Sequence, residues 1–243
     1  MKIGVLDSGI GGLTILKRLI NKYHNHEYIY FGDTLNMPYG EKNKEELIEC
    51  GNKIIKFLES MDVDIIILAC GTLSNNIKYL KSKKKIISLL PLLDNKLDKY
   101  KEVSIMATPL SIKTNIYKKY IHTKLNLIPC YSLADAIEHN SKDIDKLLKK
   151  YVKEVKGDVL LLGCTHYPIV KNNIKKYYKG DIIGLEDFIS DGIKDIEESE
   201  FKLKLYFSKI DDNLINNVKS ILLTNNLNIE SRILWLMIRK YWY

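Results

Sequence analysis

The sequence predicts an α/β fold of two similar lobes, each a parallel β-sheet flanked by helices, with a ligand site in the cleft between them. Three observations predict it. Short runs rich in Ile, Val and Leu alternate with longer stretches of helical periodicity, as parallel strands alternate with crossover helices. The segment Asp64-Ile-Ile-Ile-Leu-Ala-Cys70 is echoed by Asp158-Val-Leu-Leu-Leu-Gly-Cys164: an aspartate, four aliphatic residues, one small residue and a cysteine. A weaker echo pairs KIGVLDSG with EVSIMATP, where each apolar run ends in polar residues, Asp7 and Ser8 in one and Thr108 in the other.

In chain order the strands are expected near residues 2–6, 28–31, 64–69, 85–89, 103–107, 158–163 and 181–184, each a short β-branched or aliphatic run. Helices are expected near residues 12–23, 44–61, 111–120, 141–155 and 168–178, where apolar positions recur with helical spacing. Ligands of parallel sheets bind beyond the carboxyl ends of the strands, so the residues just after each apolar run matter most.

With 243 residues the chain suits one large domain or two small ones, and 46% hydrophobic with 28% charged residues places it among folded globular proteins. The formal charge of +8 raises the question of an acidic partner, but only Arg18, Arg232 and Arg239 are arginines among 38 basic residues. Base and phosphate readout favours arginine's rigid fork, so nucleic acid is not the expected partner. The lysines at 83–85 and within 146–153 read as solvated helix faces and turns. MKIGVLDSG shows no secretory pattern, and no apolar run approaches the roughly 20 residues of a spanning helix. A cytoplasmic location without membrane insertion is therefore expected.

Cys50, Cys70, Cys130 and Cys164 are widely spaced, without the close pairs of a zinc site and in too large a chain for a disulfide framework. No metal is expected. Cys50 lies within the helical pattern EELIECGNKIIKFLES and reads as a small core or boundary residue.

Facing lobes would bring Cys70 and Cys164 to two sides of one cleft. Inverting a carbon stereocentre by proton transfer needs a base on one face and a proton donor on the other, and two like groups in mirrored places serve both directions. A thiol, with an ordinary pKa of about 8.5, is readily tuned for that work by its surroundings. Asp7 and His166, near the two cysteines, are candidates for the tuning groups. Taken alone, each cysteine also reads as a buried small hydrophobe, and the pair as a redox dithiol. The glycine-rich DSGIGGL reads either as a tight turn whose N–H groups hold a carboxylate or phosphate, or as a close-packed turn; MPYG, residues 37–40, carries the same two readings.

The segments IGVLDSGIGGLTIL, YFGDTLNMPYG, LACGTLSNN and LLGCTHYP, in this order and at these separations, resemble the signature segments of glutamate racemases, over about residues 1–223. The resemblance implies interconversion of L- and D-glutamate without pyridoxal phosphate, metal or other cofactor, supplying D-glutamate for peptidoglycan. It implies that Cys70 deprotonates the D-enantiomer and Cys164 the L-enantiomer. Asp7 and His166 would assist the respective thiols, and Glu138 matches an acidic residue near the second thiol. Ser8, Pro38, Tyr39, Gly40, Thr72 and Thr165 match positions lining the substrate site. It also implies that residues 1–94 and 205–243 form the first lobe and 95–204 the second.

The chain departs from the family at several places. Gly71 stands where the family usually has asparagine, removing an amide that would contact the substrate. Restoring it by Gly71→Asn is expected to strengthen glutamate binding where the surrounding backbone matches. Ser111 replaces a site threonine and keeps the hydroxyl, while IIGLEDFIS replaces a more usual Ile-Asp-Ser/Pro pattern. These departures keep open a racemase for another amino acid such as aspartate, or a noncatalytic amino-acid-binding paralogue. The tail at 231–243 lacks a family counterpart. It reads as packing on the body or on a partner subunit, which admits a homodimer, or as an interfacial membrane contact.

Overall fold

In the computed structural model, which describes residues 1–189, 193, 200–224 and 227–234, ten strands form two sheets. In chain order the strands are β1 (Lys2–Asp7), β2 (Glu27–Gly32), β3 (Ile65–Leu68), β4 (Lys85–Ser88), β5 (Glu102–Ala107), β6 (Lys124–Pro129), β7 (Val159–Leu162), β8 (Asp181–Gly184), β9 (Lys202–Phe207) and β10 (Ile229–Ser231). The α-helices are α1 (Leu13–Lys22), α2 (Lys44–Ser60), α3 (Gly71–Ser74), α4 (Pro109–Lys113), α5 (Leu133–Glu138), α6 (Ile144–Val152), α7 (Lys171–Ile174) and α8 (Asp212–Leu222).

The first sheet runs β10-β9-β2-β1-β3-β4 and the second β6-β5-β7-β8, with every neighbouring pair parallel. Their common part has one order: β2-β1-β3-β4 matches β6-β5-β7-β8. Leu6 pairs with Leu68 in one sheet, and Met106 with Leu162 in the other. Cys70 and Cys164 therefore follow equivalent strands at equivalent heights, and Ser8 is the counterpart of Thr108. The two echoes in the sequence are the two central strand pairs of the two lobes.

β1 and β7 are buried along nearly their whole length, as strands covered on both faces should be. The helices that cover them are amphipathic: α1 buries Leu13, Ile15, Leu16 and Leu19, and α6 buries Leu148, Tyr151 and Val152. The α2 helix starts on a capping box in which Asn43 Oδ1 accepts from the Glu46 N–H at 2.9 Å and Glu46 Oε2 accepts from the Asn43 N–H at 3.2 Å.

Three strands were not expected from periodicity: β6, β9 and β10. β6 is exposed at its first residue and mostly half-buried, and β10 is only three residues long. β9 joins β2 on the first sheet from Lys202 onward, ahead of residue 205. The helix expected near 111–120 is interrupted, because Asn115 takes a left-handed conformation (φ 53°) between α4 and a 3-10 turn at Ile116–Lys119. The helix expected near 168–178 is likewise a 3-10 turn (Tyr167–Val170) followed by the short α7. No described helix is long and apolar enough to cross a membrane. Residues 235–243, most of the tail singled out above, lie outside the described residues.

Candidate active site

The strand ends of both sheets meet at one cavity of about 130 Å³. The first lobe contributes Ser8 after β1 and Cys70, Gly71 and Thr72 after β3; the second contributes Thr108 after β5 and Cys164, Thr165 and His166 after β7. The loop after β2 adds Pro38, Tyr39 and Gly40, with the Met37–Pro38 peptide bond cis. That loop is tied down by the buried Asp33 carboxylate, which accepts from Tyr39 OH at 2.7 Å, Ser208 Oγ at 2.8 Å and Asn36 Nδ2 at 2.9 Å. Among the described residues no lysine or arginine lines the cavity, whose polar side chains are hydroxyls, thiols, one imidazole and the Glu41 and Asp135 carboxylates.

Cys70 and Cys164 are 3% and 6% exposed, and all four cysteines are free thiols. Cys70 Sγ donates to Ser8 Oγ at 3.8 Å, and Ser8 Oγ donates to Asp7 Oδ1 at 3.4 Å. Asp7 thus reaches Cys70 through Ser8. Burial pushes the Cys70 thiol up, and the nearby Asp7 charge pushes it further in the same direction. Asp7 itself is raised by complete burial, against the pull of His166, the Gly9 N–H and the Thr165 hydroxyl.

Cys164 Sγ lies 3.8 Å from His166 Nδ1, and His166 Nε2 lies 2.7 Å from Glu138 Oε2. Burial by itself would lower the His166 pKa. The Cys164 sulfur and the Glu138 carboxylate, one on each ring nitrogen, outweigh it and hold the imidazole well above its usual value. The two thiols therefore stand in unlike surroundings: Cys70 beside a carboxylate relay, Cys164 beside an imidazole favoured in its cationic form.

The glycine-rich turn after β1 explains how this network crosses between lobes. The Gly9 N–H donates to Asp7 Oδ1 at 3.1 Å, and the Ile10 N–H donates to Glu138 Oε2 at 3.0 Å. Thr165 Oγ1 donates to Asp7 Oδ2 at 3.1 Å. The turn does hold carboxylates, and they are the chain's own. It is also closely packed: a Cβ at Gly11 would stand 2.5 Å from His166 Nδ1, so no larger residue fits.

Asp7, Glu138 and Ser111 do not line the cavity; they stand behind residues that do. Ser111, 1% exposed, accepts from Thr108 Oγ1 at 3.0 Å. Gly71 lines the cavity, and a Cβ there would come within 3.0 Å of the Gly163 carbonyl oxygen in the other lobe. The missing side chain thus corresponds to a close approach of the two lobes, and an asparagine must force them apart by a few tenths of an ångström. That opposes the gain expected from restoring the amide.

Sequence reading passed over Thr108 and Cys130 as site residues. In the sequence Thr108 reads only as a polar strand tip; its place as the counterpart of Ser8 in the repeat is the available signal. Cys130 follows β6, the strand whose polar residues hid it. Among the described residues, no three His, Cys, Asp or Glu side chains gather as metal ligands would.

No protein-family model matches the chain. It is 31% identical to the glutamate racemase of Aquifex pyrophilus over 91% of its own length and 94% of that protein. It is 36% identical to the glutamate racemase of Fusobacterium nucleatum over 75% of each chain. Among solved structures, glutamate racemase from Francisella tularensis in complex with D-glutamate superposes with a TM-score of 0.80 at 28% identity, covering 96% of this chain and 97% of that one.

Proposed function

The chain belongs to the glutamate racemase family and is an amino-acid racemase, and from that premise we propose that it interconverts L- and D-glutamate using Cys70 and Cys164 as paired acid and base. The observation that carries this reading is the arrival of two free, nearly buried thiols in one cavity from equivalent strands of opposite lobes.

In the L-to-D direction the Cys164 thiolate takes the α-proton and the Cys70 thiol returns one to the opposite face of the planar carbanion. In the D-to-L direction the two exchange roles, so the proton count closes in both. A His166 imidazolium stabilises negative charge on the Cys164 sulfur, while Glu138 holds the imidazole in place. Burial and Asp7 favour the protonated Cys70, the form needed to donate. A dicarboxylate would be held by hydroxyls and backbone N–H groups, since among the described residues no Lys or Arg lines the cavity. Within this proposal the enzyme works in the cytoplasm and supplies D-glutamate for peptidoglycan.

The test is solvent deuterium exchange at Cα combined with a chiral product assay on D- and L-glutamate and aspartate. Exchange with inversion of glutamate supports the proposal. Faster inversion of aspartate reassigns the substrate, and ligand binding without exchange would contradict the two-thiol chemistry.

A further inference from the structure

Substrate has to reach two thiols that are only 3% and 6% exposed, so the lobes must part and close again around the cavity. Two sets of side chains join the lobes there. At the β1 turn the links involve the buried Glu138 and Asp7 carboxylates, with Ile10 N–H and Thr165 Oγ1 as donors. Charge-assisted bonds of this kind are the stronger ones. The other set is neutral. Thr72 Oγ1 and Thr108 Oγ1 lie 3.0 Å apart, Thr108 Oγ1 donates to Ser111 Oγ at 3.0 Å, and Asn75 Nδ2 donates to Ser111 Oγ at 3.5 Å.

The neutral set has a simple geometry. Thr72 and Asn75 are three residues apart along α3 and its end, and Thr108 and Ser111 are three apart at the start of α4, so each pair shares one face of a helical turn. Hydrogen bonds leave the first lobe at Thr72, run through Thr108 and Ser111, and return at Asn75. Because Thr108 spends its hydrogen on Ser111, Thr72 is the donor to Thr108. Thr108 also meets the substrate loop, as its Cβ lies 3.3 Å from where a Cβ of Gly40 would stand. One second-lobe side chain thus touches two first-lobe walls of the cavity.

We propose that Thr72, Thr108, Ser111 and Asn75 form a clasp that closes the substrate cleft, with Thr108 as its positioning residue. The Gly71 contact fits this role, since the absent side chain lets α3 approach the Gly163 carbonyl closely enough for the clasp to engage. Closure also carries a cost that keeps it reversible: Asn75 Oδ1 is buried without a hydrogen-bond partner among the described residues, and it regains water when the lobes part. The weaker, uncharged wall is the one that opens.

The test reads closure directly and needs no turnover, so it stands or falls separately from the proposed reaction. Cys70 and Cys164 are labelled with iodoacetamide and followed by mass spectrometry. Cys50, partly exposed on α2 and outside the cavity, serves as internal reference. Thr108→Val, which keeps the shape and removes the hydroxyl, is expected to speed labelling of Cys70 and Cys164, two of the three cavity thiols, by about tenfold, the effect of losing one or two ordinary hydrogen bonds from the closed state. Labelling of Cys50 stays unchanged, and Thr108→Ser labels as the wild type does. Ser111→Ala, which breaks the same clasp at its centre, gives the same result if Thr108→Val folds poorly. In steady state the loss falls on KM more than on kcat. Unaltered labelling of Cys70 and Cys164, or an equal rise at Cys50, would overturn the proposal.

Discussion

Glu138 Oε2 stands 2.7 Å from His166 Nε2, with the two side chains 6% and 3% exposed. The pair is held from the first lobe by the Ile10 N–H, and the far nitrogen of the same imidazole faces Cys164. A carboxylate of one helix, a strand-end histidine and a turn of the opposite lobe thereby act on one sulfur.

Glu138→Gln keeps the shape and a hydrogen-bonding group but removes the charge that favours the imidazolium. Deuterium exchange from L-glutamate is expected to slow by at least about tenfold, or roughly 1.4 kcal/mol of lost stabilisation. Exchange from D-glutamate should fall less, because the proposed base there is Cys70. Folding raises the His166 pKa, so its contribution to stability is complete below an unfolded value of about 6.5 and is lost as pH rises through the folded value. Thermal unfolding across that alkaline range should therefore depend less on pH in the variant; an unchanged pH dependence would break the assignment.

Cys70→Ser and Cys164→Ser should each abolish full racemisation, since the missing thiol must also return a proton. Their residual exchange should differ in direction. Cys70→Ser should lose α-proton removal from D-glutamate and Cys164→Ser from L-glutamate, because a serine hydroxyl is a far weaker acid than a thiol. Chiral chromatography with mass detection of deuterium separates the two. Equal residual exchange from both enantiomers in each variant would contradict the face assignment.

The two directions should also differ in pH profile. Burial and Asp7 raise the Cys70 thiol, so removal of the D-enantiomer's proton needs a thiolate that forms only at higher pH than an ordinary thiol's. Exchange from D-glutamate should keep rising beyond a pH of about 8.5. Asp7→Asn removes the second-largest cause while burial, the largest, remains, and should move that limb down by about one pH unit. A D-glutamate profile that levels off below neutrality would refute this account of Cys70.

Gly71→Asn brings the sequence-based expectation and the geometry into direct conflict. The amide adds a hydrogen-bonding group, but its Cβ meets the Gly163 carbonyl at 3.0 Å across the lobe interface. Overpacking of this kind typically costs about 1–3 kcal/mol, comparable with the about 1.5–3 kcal/mol of one hydrogen bond to a charged substrate group, and it also holds apart the lobes that Thr72 and Thr108 join. Calorimetric titration with glutamate is expected to show affinity weakened by about tenfold. Tighter binding would mean that the lobes yield at this point at little cost.

The sequence by itself determined the paired architecture and the place of Cys70 and Cys164 at equivalent strand ends. Runs such as Ile65–Leu68 and Val159–Leu162 are buried on both faces, so their hydrophobicity is continuous and visible, and the cysteines stand where such strands must end. Family resemblance then marked about half of the cavity wall. Elements half open to solvent were harder to read: β6 carries Lys124 and Asn126 among its aliphatic residues, and the expected helix over 111–120 breaks at a left-handed Asn115 that periodicity does not register. Only the tertiary structure decided which residues act together. The bond from Thr165 to Asp7, the contact of Ile10 with Glu138, and the bridge from Thr72 to Thr108 join residues far apart in the chain. Local patterns report burial and backbone preference, whereas these pairings arise from how two lobes face each other. For the same reason, Gly71 reads in the sequence as a lost amide and in the fold as the space that lets the lobes meet.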